Sequence, residues 1–256
     1  MSLPIDLCGQ RMVLRADRTL LWEATRTLIV ADTHFGKADA FRAFGLPIPG
    51  GAEEALTRLA KAIDDTGAQR LIVLGDFWHA REGRTDGLAE QLGAWKAERA
   101  ELTIELIHGN HDTAGPPPHG WGDWFAKLIE PPFVFAHFPE PSDAGYTLAG
   151  HLHPGVLLFG RARQRFKLPC FRFSEAVGVL PAFGRFTGLA VDVPRNFERV
   201  LPSPGRRWCT WADGNLDIAT LLARIPSSCL NKPLPQSTTD QPLASIRLDK
   251  LRRCLN

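Results

Sequence analysis

Three short apolar runs, each closed by a polar cluster, constrain this chain more than any other feature. Thr27-Leu28-Ile29-Val30-Ala31 stops at Asp32, Arg70-Leu71-Ile72-Val73-Leu74 stops at Gly75-Asp76, and Leu102 to Ile107 stops at His108-Gly109-Asn110-His111-Asp112. The first two runs are continuously apolar and suit strands buried on both faces, and Leu102 to Ile107 reads as a third strand. Between them lie helical patterns. Gly50-Gly51 opens a stretch to about Asp65 with Ala55, Leu56, Leu59, Ala62 and Ile63 on one face, and another runs from about Thr85 to Ala100. Strand–helix–strand–helix–strand predicts a parallel sheet covered by helices. Such a sheet brings successive strand ends to one edge, where ligand sites form.

Upstream, Arg11 to Arg15 and Thr19 to Trp22 predict a hairpin turning at Asp17-Arg18. The second half changes character. Phe133 to Ala136, Tyr146 to Ala149, Val156 to Phe159, Phe171 to Phe173 and Leu189 to Val191 read as short strands of a second sheet packed on the first. From about Pro202 the pattern fades. Pro226 to Ser245 is rich in Ser, Pro, Thr and Gln and reads as a linker or disordered segment, and Leu248 to Leu255 as a short basic helix or a frayed end. The expected organisation is a domain over 1–205 and a C-terminal extension over 206–256.

Two later loops add polar groups behind strands: His137, then His151-Leu152-His153. Each cluster alone is weak, since Gly-Asp makes turns and Asn-His-Asp can cap a helix. Five clusters, each following an apolar strand, are hard to reconcile with coincidence. The inventory suits metal chemistry. Asp32 and Asp76 are anionic oxygen donors, Asn110 a neutral oxygen donor, and His34, His137, His151 and His153 nitrogen donors. Mixed N/O ligands without thiolate suit Mn, Fe or Zn and argue against a purely structural zinc. Seven groups are too many for one ion and too few to saturate two. Two divalent ions sharing one carboxylate would keep open positions for water and substrate.

The series Asp32-Thr33-His34, Gly75-Asp76, Gly109-Asn110-His111-Asp112, His137 and Gly150-His151-Leu152-His153 resembles the calcineurin-like metallophosphoesterase superfamily, with its pattern DxH, GDxx, GNH(D/E), H and GHxH. The resemblance implies a four-layer αββα sandwich of two mixed sheets flanked by helices. It implies one metal on Asp32, His34, Asp76 and His153, and another on Asp76, Asn110, His137 and His151. It makes His111 the unmetallated catalytic histidine, with Asp112 orienting it by a hydrogen bond. More narrowly, Ala31 to Lys37, Gly75 to His79, Leu168-Pro169-Cys170-Phe171 and Gly178 to Gly184 resemble the bacterial ligase-associated DNA damage response endonucleases. That resemblance implies a Mn-dependent phosphodiesterase or nuclease acting on single-stranded or damaged DNA, with DNA ligase and helicase partners.

The formal net charge of +2 does not announce a nucleic-acid binder, so that case rests on local clusters. Arg161, Arg163, Arg165 and Lys167 alternate with other residues and would project from one strand face. They form either a track for a phosphate backbone or a charged edge that resists aggregation. Lys37 either touches a phosphate or is solvated, and His79 either lines the site or packs. Trp121 and Trp124 with Phe125 either stack on a base or belong to the core or a pocket wall. The five cysteines contain no CxxC spacing, which disfavours a disulfide framework or zinc ribbon. With no visible signal peptide and no apolar run of membrane length, the expectation is a soluble cytoplasmic protein, possible as an oligomer. Rival readings are a phosphoesterase of small nucleotides or phosphomonoesters, and an inactive binding module on the same fold.

Overall fold

The three apolar runs are adjacent strands. β4 (Thr27–Val30), β5 (Arg70–Leu74) and β6 (Thr103–Ile107) pair in parallel, with Thr27 opposite Arg70 and Arg70 opposite Thr103. The computed structural model describes residues 2–46, 48, 50–159, 165–185, 187–191 and 198–200. Among these, β1 (Ser2–Leu7), β2 (Gln10–Arg15) and β3 (Leu20–Trp22) extend the sheet antiparallel on one side and β7 (Trp124–Phe125) parallel on the other, giving seven strands in sequence order. The expected hairpin is β2–β3. Its turn is held by Asp17, whose Oδ1 accepts from Thr19 N at 3.2 Å and Thr19 Oγ1 at 2.7 Å.

Strand residues point alternately to the two faces, and here both faces are covered. Leu28, Val30, Leu71, Val73 and Leu106 meet α2 (Ala52–Thr66) and α3 (Asp86–Ala97) through Leu56, Leu59, Ala62, Leu88 and Leu92. Ile29, Ala31, Ile72, Leu74 and Ile107 meet the second sheet through Phe133, Phe135, Leu148, Phe171 and Phe173. Each such large side chain contributes about 1.5–3 kcal/mol on full burial, which explains the continuous apolar runs over 28–30 and 71–74; β6 instead alternates, with Thr103 exposed and Glu105 half-buried. Thr85 caps α3, its side chain accepting from Leu88 N at 3.2 Å. The short α1 (Lys37–Ala43) was not expected, because two turns are too few to show a period.

The second sheet, among the described residues, has the order β15 (Glu198–Val200), β13 (Phe171–Phe173), β14 (Val177–Val179), β10 (Tyr146–Ala149), β9 (Phe133–Phe135) and β8 (Leu128–Glu130). It is mixed: β14, β10 and β9 run parallel, and the outer pairings are antiparallel. The architecture is therefore α/β, two mixed sheets with helices. The described helices α2 and α3 lie on the first sheet.

Two strand expectations need correction. Val156 to Phe159 belongs to β11 (Gly155–Phe159), which among the described strands pairs with β12 (Arg165–Pro169) as a separate antiparallel ribbon. Its partner strand carries the exposed cations Arg165 and Lys167, so the ribbon has no second apolar face to bury in a sheet. Leu189 to Val191 contributes one isolated bridge, Pro154 to Ala190. The readings of Arg161, Arg163 and everything from Pro202 onward lie outside the described residues. No helix among the described residues is long and apolar enough to cross a membrane.

Candidate metal centre

The polar clusters meet because their loops are laced together beyond the strand ends. Asp32 N donates to Gly75 O, His34 N to Asp76 O at 2.9 Å, Phe35 N to Phe77 O at 2.7 Å, and His79 N to Phe35 O at 3.0 Å. The loops after β4 and β5 thus continue side by side. On the other flank, Phe183 N donates to Ala31 O and Gly184 N to Asp32 O, so the Gly178 to Gly184 stretch braces the first loop. His137 and His151 each lie two residues past their strands, β9 and β10, and Gly150 N donates to His137 O. Asp32, His34, Asp76 and His137 are buried, His151 and His153 are half-buried, and Asn110 is exposed.

Two groups of donor atoms result. Asp32, His34, Asp76 and His153 form one, and Asp76, His137 and His151 the other; within each, the donor atoms lie within 4.8 Å of one another. Asn110 joins the second group, its Oδ1 2.9 Å from His137 Nε2. Asp76 is common to both.

The hydrogen-bond pattern fits cations at these points. His137 Nδ1 lies 3.0 Å from Leu74 O, a pure acceptor, so Nδ1 carries the proton and Nε2 presents a lone pair. That lone pair faces Asn110 Oδ1, Asp76 Oδ1 at 3.4 Å and His151 Nδ1 at 3.1 Å. The amide oxygen and the carboxylate have no proton to give it. In the first group, His34 Nε2 and His153 Nε2 are 3.2 Å apart, His153 Nε2 is 3.6 Å from Asp32 Oδ1, and buried His34 Nδ1 has no hydrogen-bond partner. Convergent lone pairs are unfavourable among themselves and suit a divalent cation. Burial, reinforced by His153, Lys37, His111 and His79, lowers the His34 pKa to about 2, which keeps the imidazole neutral and able to ligate. Burial also lowers the pKa of His151.

The backbone is strained at the same place. Asp32, His34, Asp76, His151 and His153 have φ between 45° and 69°, a region that non-glycine residues enter at a cost. The glycines of the motifs are required by sterics. A Cβ on Gly75 would lie 2.3 Å from the His137 ring, and one on Gly109 would lie 2.3 Å from both Asp76 N and Asp76 Oδ1.

The expected role of Asp112 is corrected. Its carboxylate, 2% exposed, accepts from Trp78 N at 2.9 Å and Gly109 N at 2.8 Å. Both oxygens therefore tie the 109–112 turn to the neighbouring loop. The group that orients His111 is the His79 carbonyl, 2.7 Å from His111 Nδ1. His111 Nε2 is left facing Asp76 Oδ2 at 3.9 Å. Sequence reasoning left His79 open between lining and packing, and the structure gives it a place in a stack. Its ring lies between Phe41, at 6.2 Å and 13°, and His111, at 5.6 Å and 16°. Burial, with Lys37 and His111 nearby, lowers the His79 pKa to about 4. Phe41 was missed, its helix being too short to read.

Lys37 is half-buried, with its pKa lowered by burial. With His34, Arg58 and Arg185 it lines a cavity of about 50 Å³ on the first group's side. Arg165 and Lys167 do share one exposed side of β12. The end of β12 paired with Gly155 is Pro169, whereas Arg165 pairs with Phe159, about 13 Å further along the strand.

Comparison with known proteins agrees with this geometry. The model of the family described as calcineurin-like phosphoesterase matches residues 25–232. Among solved structures, the Pseudomonas putida nuclease MPE is 36% identical, with a TM-score of 0.70 over 79% of this chain and 97% of that one. Yfce, a phosphoesterase from E. coli, is 16% identical with a TM-score of 0.35 over 63% and 83% of the two chains. The comparison with curated proteins found no match. With Asp and His groups that could hold metal at the strand ends and a family match over most of its length, the chain belongs to the calcineurin-like phosphoesterases and is a metal-dependent phosphoric ester hydrolase.

Proposed function

We propose that this chain hydrolyses phosphodiester bonds in DNA, using two divalent ions, manganese foremost, with iron or zinc as alternatives. Asp32, His34, Asp76 and His153 would hold one ion and Asp76, Asn110, His137 and His151 the other. The observation that carries this reading is the pair of donor groups converging on one shared carboxylate, Asp76. Bound there, the ions supply positive charge for the phosphate oxygens and lower the pKa of attacking water.

The remaining chemistry belongs to the chain. Asp32 and Asp76 contribute only two negative charges against the four positive ones that two bound ions would bring, which would suit an anionic diester. His111 is the candidate general acid. Its Nδ1 donates to the His79 carbonyl, so its Nε2 carries a proton only in the imidazolium form. Proton donation to a leaving oxygen from Nε2 therefore starts from that cation, at a point 3.9 Å from Asp76 Oδ2. The stack of Phe41, His79 and His111 fixes the ring plane while the transfer occurs.

A nucleic acid as substrate is supported by the likeness to the Pseudomonas putida nuclease, and DNA in particular by the family resemblance. A cytoplasmic repair setting, with a DNA ligase and a helicase as partners, rests on the family resemblance alone. The test is turnover with added manganese on single-stranded DNA, a bis-aryl phosphate and an aryl monophosphate in parallel. Cleavage of the DNA and the diester above the monoester is expected. Hydrolysis of the monoester alone would overturn the proposal.

A further inference from the structure

The seam between the two sheets is open beside His137. The first sheet ends there in β7, and the second begins at β8 and β9. A cleft of about 380 Å³ lies between them, lined by His108, Trp124, Lys127, Phe138 and Glu140, with His137 as a wall. That volume is within the range of small-molecule sites. Its surfaces are aromatic. Phe138 is 44% exposed, although it stands only three residues past a buried strand. Its ring sits edge-on to His137 at 4.9 Å and to His151 at 4.8 Å. Trp124 is half-buried, backed by Phe77 at 6.3 Å and flanked edge-on by His108 at 5.5 Å.

We infer that this cleft receives a nucleobase next to the scissile phosphodiester, stacked against Phe138 and Trp124. The inference rests on the phosphodiesterase reading of the centre and adds how a polynucleotide is held there. Three observations favour a base. The cleft shares His137 with the second donor group, so its occupant is covalently close to a phosphate placed at that group. Its walls offer aromatic faces, which every base can use. One cation and one anion at the rim, Lys127 and Glu140, suit a phosphate on one side and an exocyclic amino group on the other, and do not form a purely cationic track. The cation-lined cavity beside Lys37 is on the first group's side, so a strand crossing the centre would find bases accommodated on one side and charge on the other.

The test walks a single abasic residue through an oligodeoxythymidylate and maps the bonds cut by the manganese-supplemented protein, with bis-p-nitrophenyl phosphate as the parallel substrate. The wild-type protein should cut bonds adjoining the abasic residue about tenfold more slowly than the same bonds in intact strand, the usual worth of one stacked base. Phe138→Ala should abolish that discrimination and lower the ratio of kcat/KM on DNA to kcat/KM on the small diester by about the same factor. Trp124→Phe, which keeps the core contact, should preserve the discrimination. Equal cutting beside the abasic residue, or a Phe138→Ala loss equal on both substrates, would overturn the cleft as a base site while leaving the phosphodiesterase reading intact. Failure of the wild-type protein on both substrates would overturn both.

Discussion

Replacing Asp112 by Asn separates a structural pin from a catalytic orienter. The wild-type carboxylate accepts two buried backbone N–H groups, from Trp78 and Gly109. Asn keeps the shape and one acceptor but turns an NH2 toward the other N–H. Losing a hydrogen bond to a charged acceptor costs about 1.5–3 kcal/mol, and the unpaired N–H adds about 1–3 kcal/mol. Part of this returns, because burial raises the Asp112 pKa in spite of both donors and the charge itself is therefore costly. The net expectation is a loss of about 3 kcal/mol, or roughly 6–12 °C in Tm for a chain of this size. The turn between Gly109 and Asp112 carries Asn110 and His111, so retained metal and turnover should fall together with stability. Urea titration at pH 7 and metal analysis after gel filtration measure this. An unchanged urea midpoint with slowed turnover would refute the reasoning and restore Asp112 as a partner of His111.

Asp76→Ala removes the carboxylate common to both donor groups, so metal content should fall to trace and diester hydrolysis should vanish; a variant that keeps two ions per chain would contradict a shared ligand. His111→Ala should retain its metal while turnover falls by about 10²–10⁴-fold, the usual worth of a positioned general acid; loss of metal would show that His111 is a ligand. Metal-free protein should lose stability on acidification. The His34 pKa is about 2 when folded and near 6.5 when unfolded, so below pH 6.5 the unfolded chain binds a proton that the folded chain refuses. From pH 6 to pH 5 this histidine alone should remove about 1 kcal/mol, read as a lower urea midpoint, and a midpoint constant over that interval would count against it.

Much of the centre was legible because it is built at strand ends. A continuous apolar run announces a doubly covered strand, and the residue where it stops is fixed to about one position. Asp32, Asp76 and Asn110 could therefore be placed on one sheet edge before any contact was known. His137 and the pair His151 and His153 followed the same logic in the second sheet. What could not be read depends on distances across loops. Asp112 stands next to His111 in sequence, yet one of its oxygens accepts from Trp78 N, because the loop after β5 lies alongside, and the other from Gly109 N. His79 stacks on His111 for the same reason. The ribbon of β11 and β12 looked like sheet material because its alternation is that of any strand. Nothing local states which sheet, if any, will accept it.

The strained backbone explains why this centre is assembled from laced loops. Eight described non-glycine residues have positive φ, and five are candidate ligands: Asp32, His34, Asp76, His151 and His153. At about 1 kcal/mol or more each, they store on the order of 5 kcal/mol, comparable with the whole stability of a small domain. Such a conformation persists only where the surroundings dictate it. Here the surroundings are the backbone bonds from Asp32, His34 and Phe35 to the loop after β5, the bonds from Phe183 and Gly184 to the loop after β4, and Asp32, whose carboxylate accepts from His151 N at 3.0 Å. That last bond couples the two donor groups, since Asp32 belongs to the first and the loop it holds carries His151 of the second. Removing a ligand thus releases strain as well as affinity. Stability and metal binding are set by the same contacts, and a substitution in either donor group is felt in both.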